Sequence, residues 1–342
     1  MTLPPAGRTF ITLLIGCVGA GLAWVTGFPA PFLTGPALAV TVATLAGLEV
    51  GVVGWLRNTV FVVLGNSIGQ SVTPEVIAAA ARWPVSLVCL AGMLFVIIWA
   101  SRAMLVRFWR IDRTSALISG FPGHLTYVLG LSEAIRADLP AISVIQSVRV
   151  LALTLSVPVI VVFAGELPDV AAAAMETLDP IVLVLMLAAA AALGWLLLHA
   201  RMPAAFLMGG LVVSAVLHGA GIVSGTVPTW MTVSAFVVLG SLIGTRFAGT
   251  SMADLRRSMA AGLAVTVVSV AIAAAFAGFA AFLTGFPVPT LLIAFAPGGL
   301  ETMVAMSVLL GADPTFVAAH HISRLLMLTL IVPLFLIGKE RN

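Results

Sequence analysis

Residues 292–335 read LIAFAPGGLETMVAMSVLLGADPTFVAAHHISRLLMLTLIVPLF, and residues 117–160 read LISGFPGHLTYVLGLSEAIRADLPAISVIQSVRVLALTLSVPVI. The two align without a gap at an offset of 175 residues, about half the chain, and 15 of the 44 pairs are identical. Pro122 matches Pro297, Gly123 matches Gly298, Asp138 matches Asp313, Arg149 matches Arg324 and Pro158 matches Pro333. Earlier segments repeat at nearly the same spacing. FVVLG at 61–65 returns at 236–240, and PAPFLTG at 29–35 returns as PAAFLMG at 203–209. A duplicated apolar chain whose copies share a helix breaker and an Arg within an apolar run has the pattern of a transporter with internal repeats.

Composition sets the class. Charged residues are 8% of the chain and apolar residues 61%, where soluble domains carry about 25% charge. This predicts an all-α transmembrane protein with lipid as its surroundings. The net charge of +3 comes mostly from Arg on loops and reads as topology. No basic cluster with interleaved aromatics points to nucleic acid. Cys17 and Cys89 lie in apolar runs, as packed free thiols do. No Cys/His spacing predicts zinc or an iron–sulfur cluster, so no cofactor is expected. Arg8 followed by TFITLLIGC resembles a short signal sequence, but the apolar stretch runs on through Trp24, so a membrane helix is expected there.

The expected spans are 8–26, 31–48, 58–72, 83–101 and 141–164, then 180–199, 203–220, 229–246, 258–284 and 315–337. Segments 116–137 and 291–311 are apolar but broken, at Phe121-Pro122-Gly123 and Pro297-Gly298-Gly299. Loop 102–113 carries Arg102, Arg107, Arg110 and Arg113, whereas its partner loop 285–289 is uncharged. Conversely, 246–257 carries Arg246, Arg256 and Arg257, while its partner near 73–82 has Arg82 and Glu75. Positive charge therefore changes loops between halves, as an inverted repeat requires. The expectation is a first membrane repeat over 1–164, an acidic external linker over 165–179 and a second repeat over 180–342. Ten crossings, two re-entrant broken helices and inside termini fit this arrangement. Twelve crossings in parallel halves are the alternative.

The broken segments carry the candidate site. Pro removes a backbone donor and disfavours helix before it, and Gly tolerates open backbone. Each break leaves a helix N-terminus near Leu125 or Leu300, where N–H groups and the dipole suit an anion; a packing kink is the plainer reading. Arg149 and Arg324 fall near mid-span, each contacting an anionic substrate or tying down backbone carbonyls of the break. Gln146 and His321 are equivalent and sit one turn before the Args. His320, His321 and His124 are candidate proton acceptors. Glu301 follows the second break as a candidate partner for an Arg. The substrate-binding set is thus Arg149, Arg324, Pro122, Gly123, Pro297, Gly298, Gly299 and Glu301, with His124, Gln146, His320 and His321 for proton or ion coupling. Asp138 and Asp313 read as helix caps. Asn66, Ser67 and Gln70 lie in a Gly-spaced span suited to close packing, with the amides toward a cavity. Nucleophile-elbow, P-loop and dinucleotide motifs are absent, so no enzymatic activity is expected.

With these residues in view, the chain resembles the AbrB family of bacterial membrane proteins over essentially its whole length. The resemblance rests on APGGLETMVAMSVLLGADPTFVAAHHISRLLMLTLIVPLF at 296–335 and on PAPFLTGPALA at 29–39. The first half departs from it, with FPGH for APGG and IQ for HH. The resemblance implies a multi-pass protein of the bacterial inner membrane. Members carry conflicting labels, as ammonia monooxygenases or as regulators of gene expression. The expected function is a permease for a small anion or organic acid, with the site at the repeat interface and a homodimer as a candidate assembly. The alternative is a membrane-embedded protein involved in regulation of gene expression.

Overall fold

The computed structural model of the protein describes residues 4–71, 83–122, 128, 132, 137–164, 177–200, 202 and 204–337, with side chains to Leu328 in the last helix. Among these residues it is all-helical, apart from an isolated bridge between Thr177 and Thr226. The first half contributes α1 (Pro5–Val25), α2 (Pro31–Leu45), α3 (Gly54–Gly69), α4 (Trp83–Trp109), α5 (Arg113–Gly120) and α6 (Leu139–Ala164). The second contributes α7 (Pro180–His199), α8 (Ala205–Gly219), α9 (Thr229–Gly244), α10 (Met252–Thr284), α11 (Val288–Phe295), α12 (Leu300–Leu309) and α13 (Pro314–Ile337). A helix lies at each of the ten expected spans. Among the described residues, six helical stretches are long and apolar enough to cross a membrane: α1, α4, α6, α7, α9 with its 3₁₀ extension to Phe247, and α10. The helix surfaces fit lipid. In α7 only Met186, Ala190 and Gly194 are buried, while Ile181, Val184, Leu185 and Leu196 face outward. A water-exposed face of that kind is rare on a soluble monomer.

Three details differ from expectation. α4 runs on to Trp109, so the Arg-rich loop shrinks to residues 110–112. Met104, Val106, Trp109 and Ile111 pack on a buried cluster of Leu105, Ala116, Ile145, Ala261 and Val265, which holds the extra turns. α10 starts early because Ser251 caps it: its hydroxyl accepts from Asp254 N at 3.1 Å and donates to the Asp254 carboxylate. Cys89 is buried, but Cys17 is exposed, since α1 buries the stripe Thr9, Thr12, Gly16, Gly19 and Ala20 and Cys17 lies off it.

The chain divides into two compact units, each drawing on both halves of the sequence. The first comprises residues 1–81, 154–249 and 301–315; the second comprises 82–153, 250–300 and 316–342. In the first unit α1 packs on α2, α7 on α8, α2 on α9 and α3 on α8. Glycine makes these approaches possible. A Cβ on Gly65 would lie 2.2 Å from the Leu207 carbonyl oxygen, and one on Gly240 would lie 2.3 Å from that of Leu33. Ser214 adds a hydroxyl bond of 2.8 Å to the Asn66 carbonyl. Asn66 and Gln70 serve backbone: Asn66 Nδ2 donates to Val62 O, and Gln70 Oε1 accepts from Val227 N. Thr9 and Thr12 of α1 hold the chain entering α3, accepting from Val53 N at 3.1 Å and Gly51 N at 2.9 Å. Thr12 is fully buried. Thr12→Val keeps the shape and removes that acceptor, so a stability loss of about 1–2 kcal/mol is expected. Thermal unfolding in detergent measures it, and an unchanged midpoint would show that the Gly51 N–H finds another acceptor.

In the second unit α4 packs against α5 and α10, and α10 against α11. The second unit holds both broken helices up to their breaks.

Candidate functional site

Both breaks follow from local chemistry. Phe121 and Ala296 each precede a proline and both are extended, at ψ 119 and ψ 129, where the pyrrolidine ring disfavours helix. α5 and α11 therefore stop after eight residues each. Eight residues rise only about 12 Å, too short to cross a hydrocarbon core of about 30 Å. Each helix ends with carbonyls that lack intrahelical donors. Such groups cannot be left bare in a lipid-like setting.

A later helix in each half, α6 or α13, supplies the donors. On α6, Gln146 Nε2 donates to the carbonyls of Ile118 (3.3 Å), Ser119 (3.4 Å) and Phe121 (3.1 Å). Arg149 donates to Ser119 O at 3.5 Å and Phe121 O at 3.0 Å, and also to Gln146 Oε1. On α13, His321 Nε2 bonds Ile293 O at 3.1 Å, Arg324 Nη1 donates to Ala296 O at 2.7 Å, and Nη2 donates to Gly298 O. The pattern repeats at the sequence offset: Ile118 and Ile293 are equivalent, as are Phe121 and Ala296. A guanidinium at a helix C-terminus also complements the negative end of the dipole. Gln146, Arg149, His321 and Arg324 are all buried. The two guanidiniums are close enough for one to feel the other's charge.

Of the other expected site residues, Pro122, Pro297 and Gly298 are buried at the breaks, and Gly299 is partly so. Gly123 and His124 lie outside the described residues. Glu301 is buried in the first turn of α12, in the first compact unit, where its charge reaches Arg246. His320 is committed: Nδ1 donates to Phe316 O at 2.8 Å and Nε2 meets Ser86 Oγ at 2.8 Å. Ser86 lies 234 residues away in sequence, and no local pattern marks it. Asp138 and Asp313 cap α6 and α13, accepting from Ala141 N at 3.2 Å and Thr315 N at 2.9 Å.

Fold and centre together define a membrane-type helical protein with two proline-broken helices, each pinned by a buried cation from a later helix of the same half. The chain belongs to the AbrB family: the family model described as "Transition state regulatory protein AbrB" matches residues 32–337. It is 27% identical over 293 residues to "Uncharacterized protein YhjN" of Bacillus subtilis (strain 168), covering 80% of this chain and 76% of that one. It is 24% identical over 320 residues to "Putative regulator AbrB" of Escherichia coli (strain K12), covering 89% and 88%. No solved structure matches.

Proposed function

We propose that this protein is a secondary transporter of a small organic anion in the bacterial inner membrane, with no enzymatic step of its own. Its halves act as inverted repeats with ten crossings and two re-entrant broken helices, and substrate binds at the breaks. The observation that carries this reading is the pair of buried guanidiniums, Arg149 and Arg324, within electrostatic reach of one another at two matching helix breaks. Open backbone at membrane depth is typical of places that line a binding site. Two cations there raise a positive field that favours an anion. Each compact unit draws on helices of both halves, which fits a fold built from two repeats.

A thermal-shift screen of purified protein against small inorganic and organic anions tests this, followed by uptake into proteoliposomes. A ligand present at about 100 times its Kd stabilises by about 2.7 kcal/mol. The expected result is a raised midpoint with at least one anion and saturable uptake of that anion. If no anion shifts the midpoint and vesicles accumulate none, the transporter reading fails. A ligand that binds without flux would favour a sensor instead.

A further inference from the structure

Two polar atoms of this centre, on the same helix and one turn apart, have no hydrogen-bond partner among the described residues: Nδ1 of His321 and Nε of Arg324. Their residues are 0% and 1% exposed. A buried polar atom left unpaired costs about 1–3 kcal/mol. Two such atoms, one turn apart on a helix that holds the break, point to a ligand that satisfies both.

The rest of both side chains is committed to backbone. Nη1 and Nη2 of Arg324 hold the Ala296 and Gly298 carbonyls. Nε2 of His321 faces the Ile293 carbonyl. A carbonyl only accepts, so Nε2 carries the proton and Nδ1 is the nitrogen left to titrate. Neutral His321 therefore presents a lone pair at Nδ1, one helical turn before the residue that carries the Nε–H of Arg324. A carboxylate has only acceptors to offer, so it suits the Arg and is repelled by the lone pair. One proton on Nδ1 turns both atoms into donors.

We propose that His321 and Arg324 form a proton-dependent carboxylate subsite, in which one proton binds Nδ1 of His321 as one carboxylate binds against that N–H and the Nε–H of Arg324. This rests on the anion-transport reading and gives it a substrate class and a coupling ion. A monocarboxylate enters with one proton, and their charges cancel. Among the described residues, the charged and titratable groups facing His321 are His320 and Arg324 on α13 itself. From α6, Arg149 acts on Arg324. α11 carries no ionisable side chain, and α4 contributes Ser86, which engages His320. His320 does not compete for the role, because both of its ring nitrogens are already bonded. The other half has Gln146 at the equivalent position, where an amide donates to carbonyls without taking a proton. Among the described residues, the titratable group is thus confined to one of two matching centres.

Isothermal titration of the purified full-length protein with sodium acetate, lactate and succinate tests the subsite, each run in two buffers of different ionisation enthalpy. The wild type is expected to take up about one proton per carboxylate bound at mildly alkaline pH, with affinity falling about tenfold per pH unit once Nδ1 is mostly deprotonated. His321→Gln installs the side chain the other half already uses, whose amide oxygen takes the place of Nδ1 and cannot be protonated, so it is expected to bind carboxylate only weakly at every pH, with no proton uptake and a flat pH profile. Binding by the wild type without proton uptake overturns the subsite and leaves anion transport standing. Proton uptake that persists in His321→Gln overturns it too. If none of the three binds at mildly acid pH, the carboxylate subsite is wrong, and only a response to inorganic anions in the wider screen keeps the anion reading. Should His321→Gln fail to fold, the wild-type comparison between buffers decides alone.

Discussion

Arg324→Leu is expected to lower the stability of the protein by about 2 kcal/mol or more. The substitution strips the Ala296 and Gly298 carbonyls of their donors. Both lie at a break whose residues are buried. Each orphaned acceptor costs about 1–3 kcal/mol in a protein interior, and somewhat less in a bilayer. The proline in the break prevents the backbone from closing an intrahelical bond in compensation. Arg324→Lys should recover part of the loss, since an ammonium reaches one carbonyl well but lacks the planar fork that spans two. His321→Leu should cost less than Arg324→Leu, because His321 holds a single carbonyl. Thermal unfolding of the three variants in one detergent gives the order directly. If Arg324→Leu unfolds at the wild-type midpoint, the guanidinium is not what holds the break.

An effect of similar size is expected at Gly35. A Cβ there would lie 2.2 Å from the Gly19 carbonyl oxygen and 2.7 Å from its carbon, and both are backbone atoms that no rotamer change can move. The equivalent crossing in the other half has the same tightness, with a Gly209 Cβ 2.5 Å from Gly194 N. Gly35→Val and Gly209→Val must therefore push whole helices apart, which costs about 3 kcal/mol or more. Gly21, on the exposed side of α1, has nothing within 4 Å of its added Cβ. Gly21→Ala is expected to be neutral or to gain about 0.5–1 kcal/mol of helix propensity. Folded yield and unfolding midpoint separate the two classes. Tolerance of Gly35→Val would show that α1 and α2 can separate at little cost.

The same glycines show what could be read from the sequence. Gly19, Gly21 and Gly35 look alike in an apolar run, yet two sit at a backbone crossing and one faces outward. The deciding contact is sixteen residues away along the chain for Gly19 and Gly35, and well over a hundred for Gly65 and Leu207. Cys17 was misplaced for the same reason, since its helix is apolar on every face and only packing selects the buried stripe. The helix ends were more legible. Asp313 before Pro314 reads as a cap and acts through a bond spanning two residues; Ser251 with Asp254 is as local, yet the expected span began only at 258. The overrun of α4 to Trp109 was not, because its last turns are held by tertiary packing.

Local signals along the chain were enough for the all-helical, membrane-type class, the approximate positions of the helices and the two breaks. These are set by composition, by apolar run length and by the effect of Pro122 and Pro297 on the residue before each, all of which act locally. The repeat also placed Arg149 and Arg324 beside the breaks, through the offset of 175 residues. Packing, and not the local sequence, fixes what those cations hold. The carbonyls of Phe121, Ala296 and Gly298 come from 26 to 28 residues upstream, and they meet the guanidiniums only once the helices have packed. It likewise decided that His320 is spoken for by Ser86 while Nδ1 of His321 is not, a difference between adjacent identical side chains that no reading of their shared sequence neighbourhood can supply.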